Sequence, residues 1–235
     1  RNEKGCIIMV QGSERPAVQR KRRGSEGAEN RRLWLIKREG EVFVMQKEEM
    51  ESLAREAGFT NTAVIPADQL VFDPSLRKYC EDNLCGNYGK NYSCPPECGT
   101  PEEMKARTEQ YRLAWIFQTI AEADWKDAAA LKAVRDGHNA RSRRLIGELR
   151  KRGEEGLAML AGPCSACEVC ASAGGSPCNF PEEQVSCISA YCMSAEKMAD
   201  TAGIPYWCGE GRVAFFSLYL MERKDNRQKI WSQNY

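Results

Sequence analysis

The stretch that organises this chain is CSACEVCASAGGSPCNFP, which runs from Cys164 to Pro181. Two residues separate Cys164 from Cys167 and Cys167 from Cys170, and Cys178 follows after seven more. A short loop that wraps around a metal brings every third side chain inward, so the first three thiols can converge on one centre. The fourth cysteine completes a predicted four-thiolate metal site.

The spacing of these cysteines favours an iron–sulfur cluster over zinc. A tight cysteine triplet with a fourth cysteine near a proline is typical of sites for 4Fe–4S clusters, and Pro181 lies three residues after Cys178. Zinc sites more often pair two separated Cys-x-x-Cys knuckles. Zinc in a structural or interaction module without redox activity is the alternative, and disulfide-bonded or metal-free cysteines are less favoured than either.

A second group of cysteines lies upstream, at Cys80, Cys85, Cys94 and Cys98. Glycine and asparagine in the spacer before Cys94 permit tight turns, and the two prolines after it fix the direction in which the chain leaves. Two ligand sets stay open here. Four thiolates that include Cys98 would make a centre for electron transfer, whereas three would leave one iron open to a substrate atom. A zinc knuckle that ties down the loop is the structural alternative.

The other cysteines and the single histidine give weaker signals. Cys187 and Cys192 are five residues apart in a predicted helix and are expected to be small buried side chains, with one of them near a cluster as a spare ligand. Cys208 is expected in a turn, with a packing role. His138 is expected on the surface or at a helix cap.

Composition places the chain among globular proteins of ordinary size. Its 235 residues are 42% hydrophobic and 29% charged, and twelve are cysteine. No run of 18 apolar residues suggests a membrane span, and the apolar stretch at residues 6–10 is too short for a signal peptide. Metal-like cysteine spacing without a signal peptide predicts a cytoplasmic protein in a reducing compartment.

The first 44 residues differ from the rest of the chain. They contain 11 Lys and Arg against 6 Glu, a net charge of +5, whereas the remaining 191 residues have a net charge of −4. This composition predicts a basic, disordered or non-native extension over residues 1–44, with Met45 as the natural start. A tail that binds nucleic acid or anionic surfaces is the alternative.

From Met45 onward, helical and strand patterns alternate. Helices are predicted over residues 47–58, 101–111, 127–153 and 187–202, and strands over 62–66, 113–120, 157–161 and 213–221. This alternation predicts an α/β fold: a single domain over 45–222, with a central mixed sheet flanked by helices and two cysteine-rich metal loops. Residues 223–235 are expected to form a C-terminal tail.

Three parts of the sequence together resemble a known family. They are CGNYGKNYSCPP from Cys85 to Pro96, the cysteine run from Cys164 to Pro181, and SAY from Ser189 to Tyr191. The chain resembles, from about Met45 to Met221, a family of predicted metal-binding proteins found mainly in anaerobic bacteria and archaea. The resemblance implies metal binding, iron–sulfur clusters as the bound group, and an anaerobic, cytoplasmic setting. The chain departs from the family pattern at Cys192, where glycine is usual, and in the extra thiols Cys187 and Cys208.

These features predict an iron–sulfur protein with one or two 4Fe–4S clusters. It is expected to act in electron transfer, or as a redox enzyme with an open-iron cluster. The sequence has no dinucleotide-binding fingerprint, so a redox partner protein, such as a ferredoxin or a flavoprotein, is expected to supply the electrons. A membrane partner is not expected, and neither is a nucleic acid.

Overall fold

The computed structural model describes residues 33–38 and 41–223, with side chains from residue 47 to residue 221. Its helices are α1 (Lys47–Glu56), α2 (Arg77–Glu81), α3 (Pro101–Thr108), α4 (Ala128–Lys151) and α5 (Ala195–Ala202). Its strands are β1 (Leu33–Arg38), β2 (Glu41–Gln46), β3 (Asn61–Pro66), β4 (Tyr111–Glu122), β5 (Leu157–Met159) and β6 (Arg212–Arg223).

Four strands form one sheet in the order β3-β4-β6-β5. Each neighbouring pair is antiparallel, so the prediction of a mixed sheet is wrong. Both β4 and β5 run antiparallel to β6, and they are therefore parallel to each other, with α4 joining them and β6 inserted between them. This is a split β-α-β arrangement. The order of elements along the chain predicts an α/β domain but does not reveal this insertion.

Alternate residues of β4 belong to two cores on opposite faces of the sheet, because successive side chains of a strand point to opposite sides. Trp115 packs with Met50 of α1 and Leu149 of α4. Ile116 packs on the other face with Met104 of α3. The second core also contains residues of α5 together with Cys98 and Cys187. The cysteine-rich segments therefore contribute to the layer that holds α3 and α5.

The predicted start of α3 at residue 101 is confirmed, whereas the helix ends at Thr108 and not at residue 111. The side chain of Thr100 accepts a hydrogen bond from the backbone N–H of Glu103, and the Glu103 carboxylate accepts one from Thr100 in return. This reciprocal capping box satisfies two of the N–H groups that a helix start leaves without partners. Helix α4 is continuous from Ala128 to Lys151 and includes Gly137.

The helix predicted over residues 187–202 forms only in its second half, as α5. Cys192 has a positive φ of 54°, which a right-handed helix cannot contain. The next residue, Met193, forms a bridge with Phe72, and Ser194 caps α5 by accepting a hydrogen bond from Lys197. Pairing with the segment near Phe72 therefore replaces the first turns of the predicted helix.

The prediction that His138 lies on the surface or at a cap is wrong. Its side chain is fully buried between α4 and the sheet, where Nδ1 lies 2.8 Å from Thr119 Oγ1 and Nε2 lies 2.7 Å from Ser217 Oγ. Burial and the nearby charge of Arg141 lower the pKa of His138 to about 3. The ring is therefore neutral at ordinary pH and has a structural role in the core.

Strands β1 and β2 pair as a separate two-stranded antiparallel sheet. The rest of the predicted N-terminal extension, residues 1–32 and 39–40, lies outside the described residues, so its disorder and the start at Met45 stay predictions. The tail predicted over 223–235 also lies outside them, apart from residue 223. Within the described part of the chain, no helix has the length and apolar character needed to cross a membrane.

Candidate metal centre

Three of the four cysteines predicted upstream border one cavity. Its lining consists of Cys80, Cys85, Tyr88, Cys94, Pro95, Pro163, Cys187 and Ala190. Cys80 is placed by α2, Cys85 and Cys94 by the loop that follows it, and Cys187 by a segment far away in the sequence. The fold thus groups the first three predicted ligands with Cys187, one of the two cysteines expected as a spare ligand.

Glycines allow the upstream loop to turn back on itself. Gly86 and Gly89 both have positive φ angles, 73° and 68°, a region that side chains other than glycine seldom adopt. The backbone N–H of Gly89 donates a hydrogen bond to the carbonyl of Pro95 at 2.9 Å. This bond closes the loop across the spacer, and so it holds Cys85 and Cys94 on the same side of the protein.

Cys98 lies apart from that lining, in the core beside Arg77. Its side chain is 2% exposed, and Arg77 Nη1 lies 3.9 Å from its Sγ. Burial raises the pKa of the Cys98 thiol, although Arg77 and Arg107 act in the opposite direction. Arg77 also donates a 3.0 Å hydrogen bond to the carbonyl of Ala190. Cys98 therefore belongs to a buried contact around the Arg77 guanidinium.

The backbone on either side of Cys187 is fixed next to the downstream loop. Cys187 forms an isolated parallel bridge with Leu160, and the backbone N–H of Leu160 donates to the carbonyl of Ser186 at 3.3 Å. Leu160 lies three residues before Pro163, which lines the same cavity. Only its residue type marks Cys187 in the sequence, because its neighbours in space come from distant segments.

The four downstream cysteines follow β5 on a loop that contains a short 3-10 turn at Ala171–Gly174. All four are partly exposed thiols that form no disulfide: Cys164, Cys167, Cys170 and Cys178. Burial raises the pKa of Cys170, but the backbone N–H groups of Ser172 and Tyr92 act in the opposite direction, and the pKa is lowered overall. Hydrogen-bond donors directed at a sulfur favour its thiolate form.

Three consecutive residues of the upstream loop, Asn91, Tyr92 and Ser93, bind the downstream loop, and we call them the bridging segment. Asn91 Nδ2 donates to the carbonyl of Cys164 at 3.0 Å, and the backbone N–H of Cys164 donates to Ser93 Oγ at 2.8 Å. The Tyr92 hydroxyl donates to the carbonyl of Ser176 at 2.8 Å. The two cysteine-rich loops are therefore directly connected.

The available donors fit a soft metal or an iron–sulfur cluster, because thiolates are the ligands that such groups prefer. Within the part of the chain that the structure describes, no three His, Cys, Asp or Glu side chains meet closely enough to hold a single metal ion. The upstream cysteines instead surround a cavity. The predicted downstream ligands share the loop that follows β5.

Removal of the Ser93 hydroxyl is expected to weaken the connection between the loops. Ser93→Ala leaves the N–H of Cys164 without the oxygen that accepts it, and Ser93 is fully buried. Loss of one partner of a buried hydrogen bond costs about 1–3 kcal/mol. We expect a lower free energy of unfolding in urea, together with faster loss of bound metal to a chelator.

Ser142→Ala is the matched control for this change. Ser142 is also a fully buried serine, but its hydroxyl donates to the carbonyl of His138 within α4, away from both cysteine-rich loops. Removal of the Ser142 hydroxyl is expected to lower the free energy of unfolding. Metal should be lost no faster than this drop in stability explains. If Ser93→Ala and Ser142→Ala have the same free energy of unfolding and also lose metal to the chelator at the same rate, a bridging role for Ser93 is contradicted.

Comparison with protein-family models finds one match, over residues 63–221, to a family described as predicted metal-binding protein (DUF2284). The matched region runs from β3 to β6 and includes both groups of predicted ligands. Searches of curated proteins and of solved structures each gave no match.

Proposed function

The chain belongs to this family of predicted metal-binding proteins, and on that premise we propose that it is an iron–sulfur protein that transfers electrons through two 4Fe–4S clusters. One cluster would be held by the downstream cysteines Cys164, Cys167, Cys170 and Cys178. The other would be held by thiols that border the upstream cavity. When bound, such clusters supply one-electron oxidation and reduction.

The observation that carries this proposal is the contact between the two loops. Electron transfer between two centres requires that they lie near each other, and the bridging segment joins the upstream loop to Cys164 and Ser176 by hydrogen bonds of 2.8–3.0 Å. Two structural zinc knuckles would not need this proximity. The cysteine spacing of the downstream loop also favours a cluster.

The surroundings of the thiols can adjust the reduction potentials of the two centres separately. The sulfur of Cys170 accepts hydrogen bonds from the backbone N–H groups of Ser172 and Tyr92. Hydrogen bonds to the sulfurs of a cluster influence its reduction potential. The upstream thiols are more enclosed: Cys80 and Cys94 are 7% and 6% exposed, with proline and tyrosine side chains beside them. Apolar enclosure limits access of solvent and so changes the potential of a bound group.

Exposed apolar side chains next to the predicted ligands support docking of a redox partner. Leu84 precedes Cys85, Val169 precedes Cys170, and Phe180 lies two residues after Cys178; their exposed fractions are 46%, 73% and 43%. Transient redox complexes bury small interfaces, for which a few such residues suffice. We propose a ferredoxin or a flavoprotein as the partner, in a reducing and anaerobic cytoplasm that would preserve the clusters.

Metal analysis of anaerobically purified protein tests this function. We expect a brown protein with about eight iron and eight sulfide per chain, because each 4Fe–4S cluster contributes four of each, and a reversible loss of colour on reduction. Cys170→Ala is expected to retain about half the iron. A colourless protein that contains stoichiometric zinc and no sulfide would overturn the proposal in favour of a structural zinc module.

A further inference from the structure

We propose that Cys187, and not Cys98, is the fourth thiol of the upstream site, together with Cys80, Cys85 and Cys94. This inference rests on the proposed function, because it takes metal binding at the upstream loop as its premise. It names the ligand that the spacing of the upstream cysteines leaves undecided.

The cavity is the first support for this ligand set. Cys80, Cys85, Cys94 and Cys187 all line it, and the remaining lining residues are tyrosine, proline and alanine. Cys187 also borders a second cavity, but no other thiol lines that one. The cavity shared with the three upstream cysteines is therefore the place where Cys187 can act as one of several thiolate ligands.

The backbone on both sides of Cys187 is held in place without a metal. Its bridge with Leu160 ties it to the end of β5, and its carbonyl accepts a 3.3 Å hydrogen bond from the N–H of Tyr191. Cys187 as a whole is only 7% exposed. A ligand whose backbone is already fixed loses less conformational entropy when it binds than a ligand on a mobile segment.

Cys98 already has a different structural role. Cys98 and Cys187 both belong to the core on this face of the sheet, but the Sγ of Cys98 lies next to the buried guanidinium of Arg77. A buried cation needs electron-rich partners to offset its desolvation. Turning Cys98 toward the upstream cavity would remove one of these partners and leave a void in the core, so Cys98 is the less favourable ligand.

A fourth thiolate at Cys187 determines the chemistry of the upstream centre. Four protein thiolates occupy every iron of a cubane cluster, whereas three leave one iron available to a substrate atom. With Cys187 in place, the upstream centre would carry electrons only. The inference thus favours electron transfer over catalysis at an open iron.

Alanine variants of three cysteines test the ligand set. Cys94→Ala provides the reference for loss of an upstream ligand, and Cys98→Ala is the matched control for loss of a buried thiol. After anaerobic reconstitution, we expect Cys187→Ala and Cys94→Ala each to lose about half of the iron and sulfide, while Cys98→Ala keeps full content. Far-ultraviolet circular dichroism reports whether each variant has folded.

Three results would overturn the assignment of Cys187. They are full iron content in Cys187→Ala with a loss in Cys98→Ala, full content in both, or equal losses in both. If Cys187→Ala fails to fold, Cys187→Ser retains the side-chain volume, and oxygen ligation should change the paramagnetic resonance spectrum of the reduced protein. An unchanged spectrum with full iron content in that variant would also overturn the assignment.

The same variants separate this inference from the proposed function. Wild-type protein that binds zinc and no iron would refute the cluster proposal by itself. Zinc titration of the variants would still test the ligand set, since loss of upstream zinc in Cys187→Ala but not in Cys98→Ala supports Cys187. Equal zinc binding by Cys187→Ala and the wild type would overturn it.

Discussion

Gly156→Ala is expected to lower the free energy of unfolding by about 3 kcal/mol, toward the upper end of what overpacking costs. A Cβ at this position would lie 2.5 Å from Cζ and 2.8 Å from Cε1 of Tyr219, and it would also collide with the carbonyl oxygen of Leu220. Tyr219 is fully buried, so it has no free space into which it can move.

The clash also breaks two hydrogen bonds that the Tyr219 hydroxyl makes. The backbone N–H of Gly156 donates to the Tyr219 hydroxyl at 2.8 Å, and that hydroxyl donates to the carbonyl of Glu154 at 2.9 Å. Displacement of the ring would leave these buried groups without partners, which adds to the cost of the clash. Urea unfolding followed by circular dichroism measures the combined effect.

Gly147→Ala is the matched control. Gly147 lies within α4, and a Cβ there would meet no atom within 4 Å. Alanine favours a helix interior over glycine by about 0.5–1 kcal/mol, so this variant is expected to be more stable than the wild type. Similar stabilities for Gly156→Ala and Gly147→Ala would show that the segment before β5 does not pack against Tyr219 as described.

Acid is expected to destabilise the protein through His138. The pKa of this residue is lowered from 6.5 to about 3 in the folded state by burial and by the charge of Arg141. Between these two values the unfolded chain binds a proton that the folded chain does not bind. Stability therefore rises with pH across this window and falls on acidification, by up to about 1.4 kcal/mol for each pH unit below 6.5.

The comparison with His138→Gln isolates this contribution. Glutamine does not titrate, so the variant should be less stable at pH 7 but should lose stability less steeply between pH 6 and pH 4.5. Protonation of metal-binding thiolates also destabilises the folded state in acid, but it affects both proteins, so the difference between their slopes reports the histidine alone. Equal slopes of unfolding free energy against pH would contradict a buried, neutral His138.

Local patterns were enough to predict much of the fold. The capping residues Thr100 and Glu103 predict the start of α3, and the apolar run in residues 213–221 predicts β6, because both signals depend on neighbours along the chain. The sheet order could not be predicted in this way. It depends on β6 entering between β4 and β5, which is a contact between distant segments.

The difference between local and long-range signals also applies to the two predicted metal sites. The predicted downstream ligands follow one another at a spacing that is itself the signal, whereas Cys187 reaches the upstream cavity through pairing of its segment with Leu160. His138 looked like a surface residue because nothing next to it in sequence reveals Thr119 and Ser217 as its partners. Residues whose role depends on long-range packing carry little local signature.

The bridging segment has a consequence for the order in which the protein matures. Asn91 and Ser93 belong to the upstream loop, yet they hold Cys164 at the start of the downstream loop. Ordering of either loop therefore reduces the conformational entropy that the other has still to lose. In the proposed two-cluster protein, cofactor insertion at one loop should make insertion at the second more favourable, so that partly loaded molecules remain scarce during assembly and oxidative damage to one cluster hastens the loss of both.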